Sequence, residues 1–94
     1  MSDKPISEIV KDPEWQKTRE KMLGMWKDRP NWCLSQIRHY IGNIHSCDID
    51  KLRITMNYLV SSGFRTGVIS SIKNPPIAKL RAEISAELKK RKYS

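Results

Sequence analysis

Four potential metal ligands lie close together in the middle of this chain of 94 residues: Cys33, His39, His45 and Cys47. Zn²⁺ prefers thiolates and imidazoles, but structural zinc sites space these ligands as C-x2–4-C and H-x3–5-H pairs. The spacing here, C-x5-H-x5-H-x-C, contains no C-x2–4-C pair, and on a helix Cys33 and His39 would point about 120° apart. We therefore expect no metal site, and instead buried thiols and surface imidazoles.

Signatures of catalysis are also missing from the sequence. It contains no glycine-rich phosphate loop and no motif that would place a serine, a histidine and an aspartate as a catalytic triad. Asp48 and Asp50 form a pair of carboxylates, but they stand at a predicted helix start, where the helix dipole favours acidic residues. We expect a protein that is not an enzyme and that uses no cofactor.

The strongest indication of a partner is a run of basic residues near the C-terminus: Lys89, Lys90, Arg91 and Lys92. The formal net charge is +8, and residues 48–94, with ten basic and four acidic side chains, carry +6 of it. Clustered cations attract polyanions, and they also suit the negative end of a helix dipole. The run, together with Lys79 and Arg81, predicts contacts with nucleic-acid phosphates that do not read sequence. Residues 89–94 are expected to form a frayed basic tail.

The segments on either side of Gly42 resemble the helix-turn-helix pattern, with one extra residue after the glycine. The resemblance implies that the second segment enters the major groove, where Arg and Asn side chains can each contact a base edge through two hydrogen bonds. Two acidic residues near the start of this segment argue against it, because they would repel phosphates. The contacts predicted in this part of the chain are Lys51, Arg53, Asn57 and Arg65.

The alternative function is a non-enzymatic adaptor or inhibitor that binds another protein through an exposed aromatic or aliphatic helix face. Trp15, Trp26 and Trp32 are the candidates for such a face, because tryptophan is enriched at interface hot spots. A domain this small also needs large side chains inside, so the core is the favoured place for them.

Helix caps and helix-spaced apolar residues predict one all-α domain over residues 1–94, a compact bundle or orthogonal array of four to five short helices. The predicted helices span 14–28, 32–41, 49–62 and 77–90, with caps at Asp12, Asn31, Ser46 or Asp48, and Asn74. Arg29-Pro30 is expected to end the first of them. A short helix starting at Pro5 is expected within a partly ordered segment, residues 1–12. Residues 65–73 fit a helix, a strand or a loop.

The apolar stripes also predict which side chains form the core. The expected core is Leu34, Ile37, Ile41, Ile49, Leu52, Met56, Leu59, Phe64, Ile77, Leu80 and Ile84. Residues 1–12 contain no apolar run typical of a signal peptide, and no segment is apolar enough to span a membrane. With only two cysteines, the chain is expected to be cytoplasmic, with reduced thiols and no membrane partner. The sequence leaves the oligomeric state open.

Overall fold

The structure is a computed structural model that describes residues 4–26, 28–60 and 75–91, and these form α-helices with no strand. The helices are α1 (Ile6–Ile9), α2 (Pro13–Met22), α3 (Pro30–Ile41), α4 (Ile49–Leu59) and α5 (Pro75–Lys90). Helix α4 is central, because it packs against α1, α3 and α5, while α2 packs on α3. The predicted all-α bundle is confirmed. Residues 65–73 lie outside the described residues, as do Phe64 and the Asn74 cap.

Helix α2 begins as predicted but is shorter. The Asp12 carboxylate accepts a hydrogen bond from the Glu14 backbone N–H at 3.1 Å, and Pro13 occupies the first helical position. The predicted end near residue 28 is wrong, because the helix stops at Met22. Gly24 has a φ of +73°, left-handed geometry that glycine adopts at little steric cost and that ends helices.

Helix α3 begins at Pro30, two residues before its predicted start and one before its predicted cap, Asn31. Arg29 is the N-cap residue and makes no side-chain cap bond, so the prediction of Asn31 as cap is wrong. Pro30 starts α3 and does not end α2, because its fixed φ and missing N–H suit the first helical position. The helix ends at Gly42, as predicted, with a φ of +69°.

The predicted cap of α4 is confirmed at Asp48, whose carboxylate accepts from the Asp50 backbone N–H at 2.8 Å. The helix ends at Leu59, with Val60 in a turn, so its predicted range of 49–62 is too long. Helix α5 starts at Pro75, two positions before the predicted 77.

The core follows the predicted stripes with one correction on α4. Eight predicted residues are buried: Leu34, Ile37, Ile41, Leu52, Leu59, Ile77, Leu80 and Ile84. Ile49 and Met56 are only half-buried at the edge of the core. The most buried side of α4 contains Leu52, Thr55 and Leu59. The buried Thr55 hydroxyl donates a hydrogen bond to the Lys51 carbonyl oxygen at 2.8 Å. Ile54, on another side of α4, is also buried, since α4 packs against three helices.

Aromatic rings link α2, α3 and α4. Trp15 is buried, with its ring centroid 5.1 Å from that of Tyr40 and 5.4 Å from that of Tyr58. Trp26 is also buried, and its indole N–H donates to the Tyr58 hydroxyl at 2.9 Å. The preference for a core role is confirmed for Trp15 and Trp26, while Trp32 is half-buried against the same core. Across the described ranges, no helix has the length and apolarity to cross a bilayer.

Candidate nucleic-acid interface

Helix α4, whose side chains were predicted to read bases, has its lysine engaged within the protein. The Lys51 ammonium donates to the Glu14 carboxylate at 3.2 Å and to the Tyr40 carbonyl oxygen at 3.3 Å. It also lies 4.7 Å from the centroid of the Tyr40 ring, a cation–π distance. Lys51 therefore joins α4 to α2 and α3, and a phosphate would have to compete with three groups for it.

The arginine of α4 is similarly placed. The Arg53 guanidinium donates to the Lys4 carbonyl oxygen at 2.7 Å and to the Asp50 carboxylate at 3.4 Å, and its side chain is 14% exposed. Asn57 is exposed and is the one exposed residue of Ile49–Leu59. The connection from α3 to α4 runs over residues 42–48, longer than the turn of 3–4 residues typical of helix-turn-helix motifs. Helix α4 thus presents no continuous open face.

Arg91, one of the predicted phosphate contacts, holds the loop between α3 and α4. Its guanidinium donates to three carbonyl oxygens of that loop, those of Cys47 at 2.6 Å, His45 at 3.1 Å and Ile44 at 3.3 Å. These bonds satisfy loop backbone groups that no helix satisfies. The fold thereby fixes residue 91, although it stands in the middle of a basic run in the sequence.

A buried carboxylate supports this arginine. Glu87 is 5% exposed, and it accepts from the Arg91 Nε at 2.7 Å while the His45 Nδ1 lies 2.9 Å from its other oxygen. Hydrogen bonds from His45 and then from Arg91 lower the pKa of the Glu87 carboxyl. The sequence analysis missed this cluster, although Glu87 and Arg91 have the i,i+4 spacing of a helix ion pair.

The other carboxylate of α5 is paired as well, since Glu83 accepts from the Arg38 guanidinium at 3.0 Å. Both acidic residues of α5 are therefore neutralised by neighbouring groups, while three of its lysines are exposed. These are Lys79, Lys89 and Lys90, which we call the α5 lysines. Among the predicted contacts, Lys79, Lys89 and Lys90 are thus exposed on one helix, while Arg81 of the same helix is half-buried. Arg65 and Lys92 lie outside the described residues.

The four potential metal ligands of the sequence lie in different surroundings. Cys33 and Cys47 are free, buried thiols, and burial raises the pKa of each. His39 is exposed, and His45 is bound to Glu87. Within the part of the chain that the structure describes, no group of His, Cys, Asp and Glu is arranged to hold a metal ion.

Concave surfaces also lie away from α5 on the described part of the chain. A cleft of about 460 Å³ lies where α1 meets the start of α2 and α4, and it is lined by residues of both charges, including Lys4, Lys11, Asp12 and Asp48. A groove of about 310 Å³ lies between α2 and the end of α4, lined by Gln16, Arg19, Glu20, Leu23 and Tyr58. Leu23 is 81% exposed at this groove. Because residues of both charges line the cleft, its electrostatic potential does not favour a ligand of one sign.

Comparison with known proteins adds no assignment: no protein family, curated protein or solved structure matches this chain.

Proposed function

We propose that this protein binds nucleic acid through phosphates, without reading sequence, and that the α5 lysines form the contact surface. The observation that carries the proposal is the pairing of both acidic residues of α5. Glu87 is enclosed by His45 and Arg91, and Glu83 is held by Arg38. The charged residues of the helix that are exposed are then its three lysines, and their field attracts polyanions.

The helix dipole does not account for all of these lysines. Cations in the last turn are favourable neighbours of the helix C-terminus, which explains Lys89 and Lys90 without any partner. Lys79 lies in the second turn of α5, far from the C-terminal end, where the dipole gives no reason for a cation. An anionic partner accounts for the lysines at both ends.

The proposal differs from base reading by α4. Lys51 and Arg53 are engaged in contacts inside the protein, and a reading helix needs free donors along one face. Contacts with phosphates need only exposed cations and carry no sequence information. A role in transcription would then come from occupancy of nucleic acid and not from recognition of a site.

The test is fluorescence anisotropy with mixed-sequence duplex and single-stranded probes at about 50 mM and 200 mM salt, between which three phosphate contacts should lose about 40-fold in duplex affinity. Replacing Lys79, Lys89 and Lys90 together by Ala should reduce the slope of log K against log salt by about 2.7 on duplex, or 0.9 for each lost contact.

The matched control replaces three exposed lysines outside α5, Lys11, Lys17 and Lys21. It removes the same net charge, so it separates a local surface from a general charge effect. Equal losses in the two triple variants would show that α5 is not the surface. Absence of binding by the wild-type protein at the lower salt would overturn the function itself.

A second candidate, a protein adaptor, is favoured by one observation. Leu23 is a large apolar side chain that is 81% exposed, beside the groove that Tyr58 and Arg19 line. Single exposed apolar side chains are common on protein surfaces, but this one lies at a groove with a tyrosine and an arginine, residue types enriched at interface hot spots. A photo-crosslinking residue at position 23 should then capture one defined protein in cells, whereas the same residue at position 17 should not.

We further propose a cytoplasmic location. Its support is that Cys33 and Cys47 are both free and buried, the state of thiols in a reducing compartment.

A further inference from the structure

We infer that α5 lies across the major groove of duplex DNA, with Lys79 and Lys90 on phosphates of opposite strands. This inference rests on the proposed function, since it assigns the kind of nucleic acid that the α5 lysines bind. The spacing of the lysines, the dimensions of the grooves and the side chains between the two ends support it.

The two lysines face the same way from opposite ends of the helix. Positions 79 and 90 differ by 11 residues on α5 and both are exposed. At about 1.5 Å and 100° per residue, their Cα atoms are about 16 Å apart along the axis and within about 20° of one direction. Lys89 is exposed beside Lys90 and widens the basic end.

Only one groove of B-DNA matches this spacing. The major groove is about 12 Å wide, so a helix that crosses it with a span of about 16 Å brings a lysine to the phosphates on each side. The minor groove is about 6 Å wide, so the same span overshoots its two rows of phosphates. A flexible single strand does not hold two phosphates at this fixed spacing, so it should bind α5 more weakly.

The side chains between the two lysines permit a close approach. Ala82 and Ala86 are exposed and lie within about 80° of the direction of Lys79. Their methyl groups keep the backbone near whatever the face contacts. Glu83, on the other side of the same face, is neutralised by Arg38 at 3.0 Å. None of the alanines offers a hydrogen bond to a base, which agrees with binding that ignores sequence.

The experiment compares three probes of equal length and mixed sequence, a DNA duplex, one of its strands and an RNA duplex, by anisotropy across a salt series. The wild-type protein should bind the DNA duplex most tightly. Replacing Lys79 and Lys90 together by Ala should lower the duplex salt slope by about 1.8, or 0.9 for each contact. The control, Lys17→Ala with Lys21→Ala on α2, should leave that slope unchanged.

A charge-neutral variant tests the groove directly. Ala86→Leu keeps every lysine but adds bulk to the face that would lie against the DNA. The helix would then stand farther from the phosphates, so the preference for DNA duplex over single strand should be lost. Ala82→Leu serves as a second variant at the same face, and the urea midpoint of each shows whether it is folded.

The outcomes separate the two levels of the argument. Binding of the single strand or of the RNA duplex at least as tightly as the DNA duplex would overturn the groove assignment and leave phosphate binding intact. Retention of the full duplex preference by both folded Leu variants would also overturn it. Absence of binding to all three probes would instead overturn the proposed function.

Discussion

The Nη1 atom of Arg91 lies 2.6 Å from the carbonyl oxygen of Cys47, and this bond ties the end of α5 to the residue just before the α4 cap. The same guanidinium reaches two more carbonyl oxygens of the loop and the buried Glu87. The C-terminal basic run therefore contains at least one residue that stabilises the fold, next to lysines that face solvent.

Replacing Arg91 by Ala should lower the free energy of unfolding by about 2–3 kcal/mol, because hydrogen bonds to a charged group contribute more than neutral ones and a buried carboxylate loses a partner. Urea unfolding measures the change. The neighbouring Lys90→Ala, which removes the same charge from an exposed position, should change stability by less than about 0.5 kcal/mol. Equal effects at the two positions would contradict the structural role of Arg91.

Leu52 should be one of the costliest positions of the core. Its side chain is fully buried on the central helix, so Leu52→Ala should destabilise the protein by about 2–5 kcal/mol through lost burial and a cavity. Leu23→Ala makes the same chemical change at an exposed position and should stay within about 0.5 kcal/mol. Thermal or urea unfolding compares the two, and a Leu52→Ala midpoint like that of wild type would refute the assignment.

Stability should fall at alkaline pH. Burial raises the pKa of the Cys33 and Cys47 thiols above 9.0 and that of the Tyr58 phenol above 10.0. Burial and the hydrogen bond to Asp12 raise that of Tyr40 further. The unfolded chain then releases these protons first, so the stability they contribute is complete below about pH 9 and is lost as the pH rises.

The Tyr40→Phe variant tests this loss, because it removes one of these ionisations. It should lose less stability than wild type between neutral pH and pH values above 10.0, the ordinary pKa of tyrosine. Its stability at neutral pH should be lower by about 1 kcal/mol, the usual contribution of one hydrogen bond. If the free energy of unfolding, measured in urea, falls equally with pH in the two proteins, the claim that burial raises the pKa of Tyr40 is contradicted.

Acid should also destabilise the protein, through Glu87. Hydrogen bonds from His45 and Arg91 lower the pKa of this carboxyl below 4.5, so its stabilising effect is present above that pH and is lost as the pH falls through the folded-state pKa. Glu87→Gln should flatten the loss of stability below pH 4.5. In an Arg91→Ala variant, which removes one hydrogen-bond donor of Glu87, this carboxyl should contribute less to the acid loss of stability. An unchanged acid limb in Glu87→Gln would contradict the cluster.

The sequence predicted elements whose signals are local. The caps Asp12 and Asp48 and the stripe of α3 need only the neighbouring residues, and all three are confirmed. The predicted end of α2 is wrong because apolar side chains continue after Gly24, so periodicity alone does not reveal the left-handed turn there. The predicted stop at Pro30 is wrong because proline is equally suited to start a helix.

The candidate site was harder to predict because pairing between distant residues decides which charges are exposed. Lys51 and Glu14 are far apart in the sequence, as are Arg91 and Cys47, yet both pairs are in contact. A count of charges gives +6 for residues 48–94 but does not show which cations face solvent. That depends on packing, which periodicity alone does not fix.

The three consecutive basic residues 89–91 have different freedom to evolve. Lys89 and Lys90 are exposed, so selection can add or remove positive charge there with little effect on folding. Arg91 is bound to four groups, so the fold constrains it whatever the partner is. Homologues of this chain should therefore retain arginine at position 91 and vary in basic charge at the two preceding positions, which would tune affinity for an anion independently of stability.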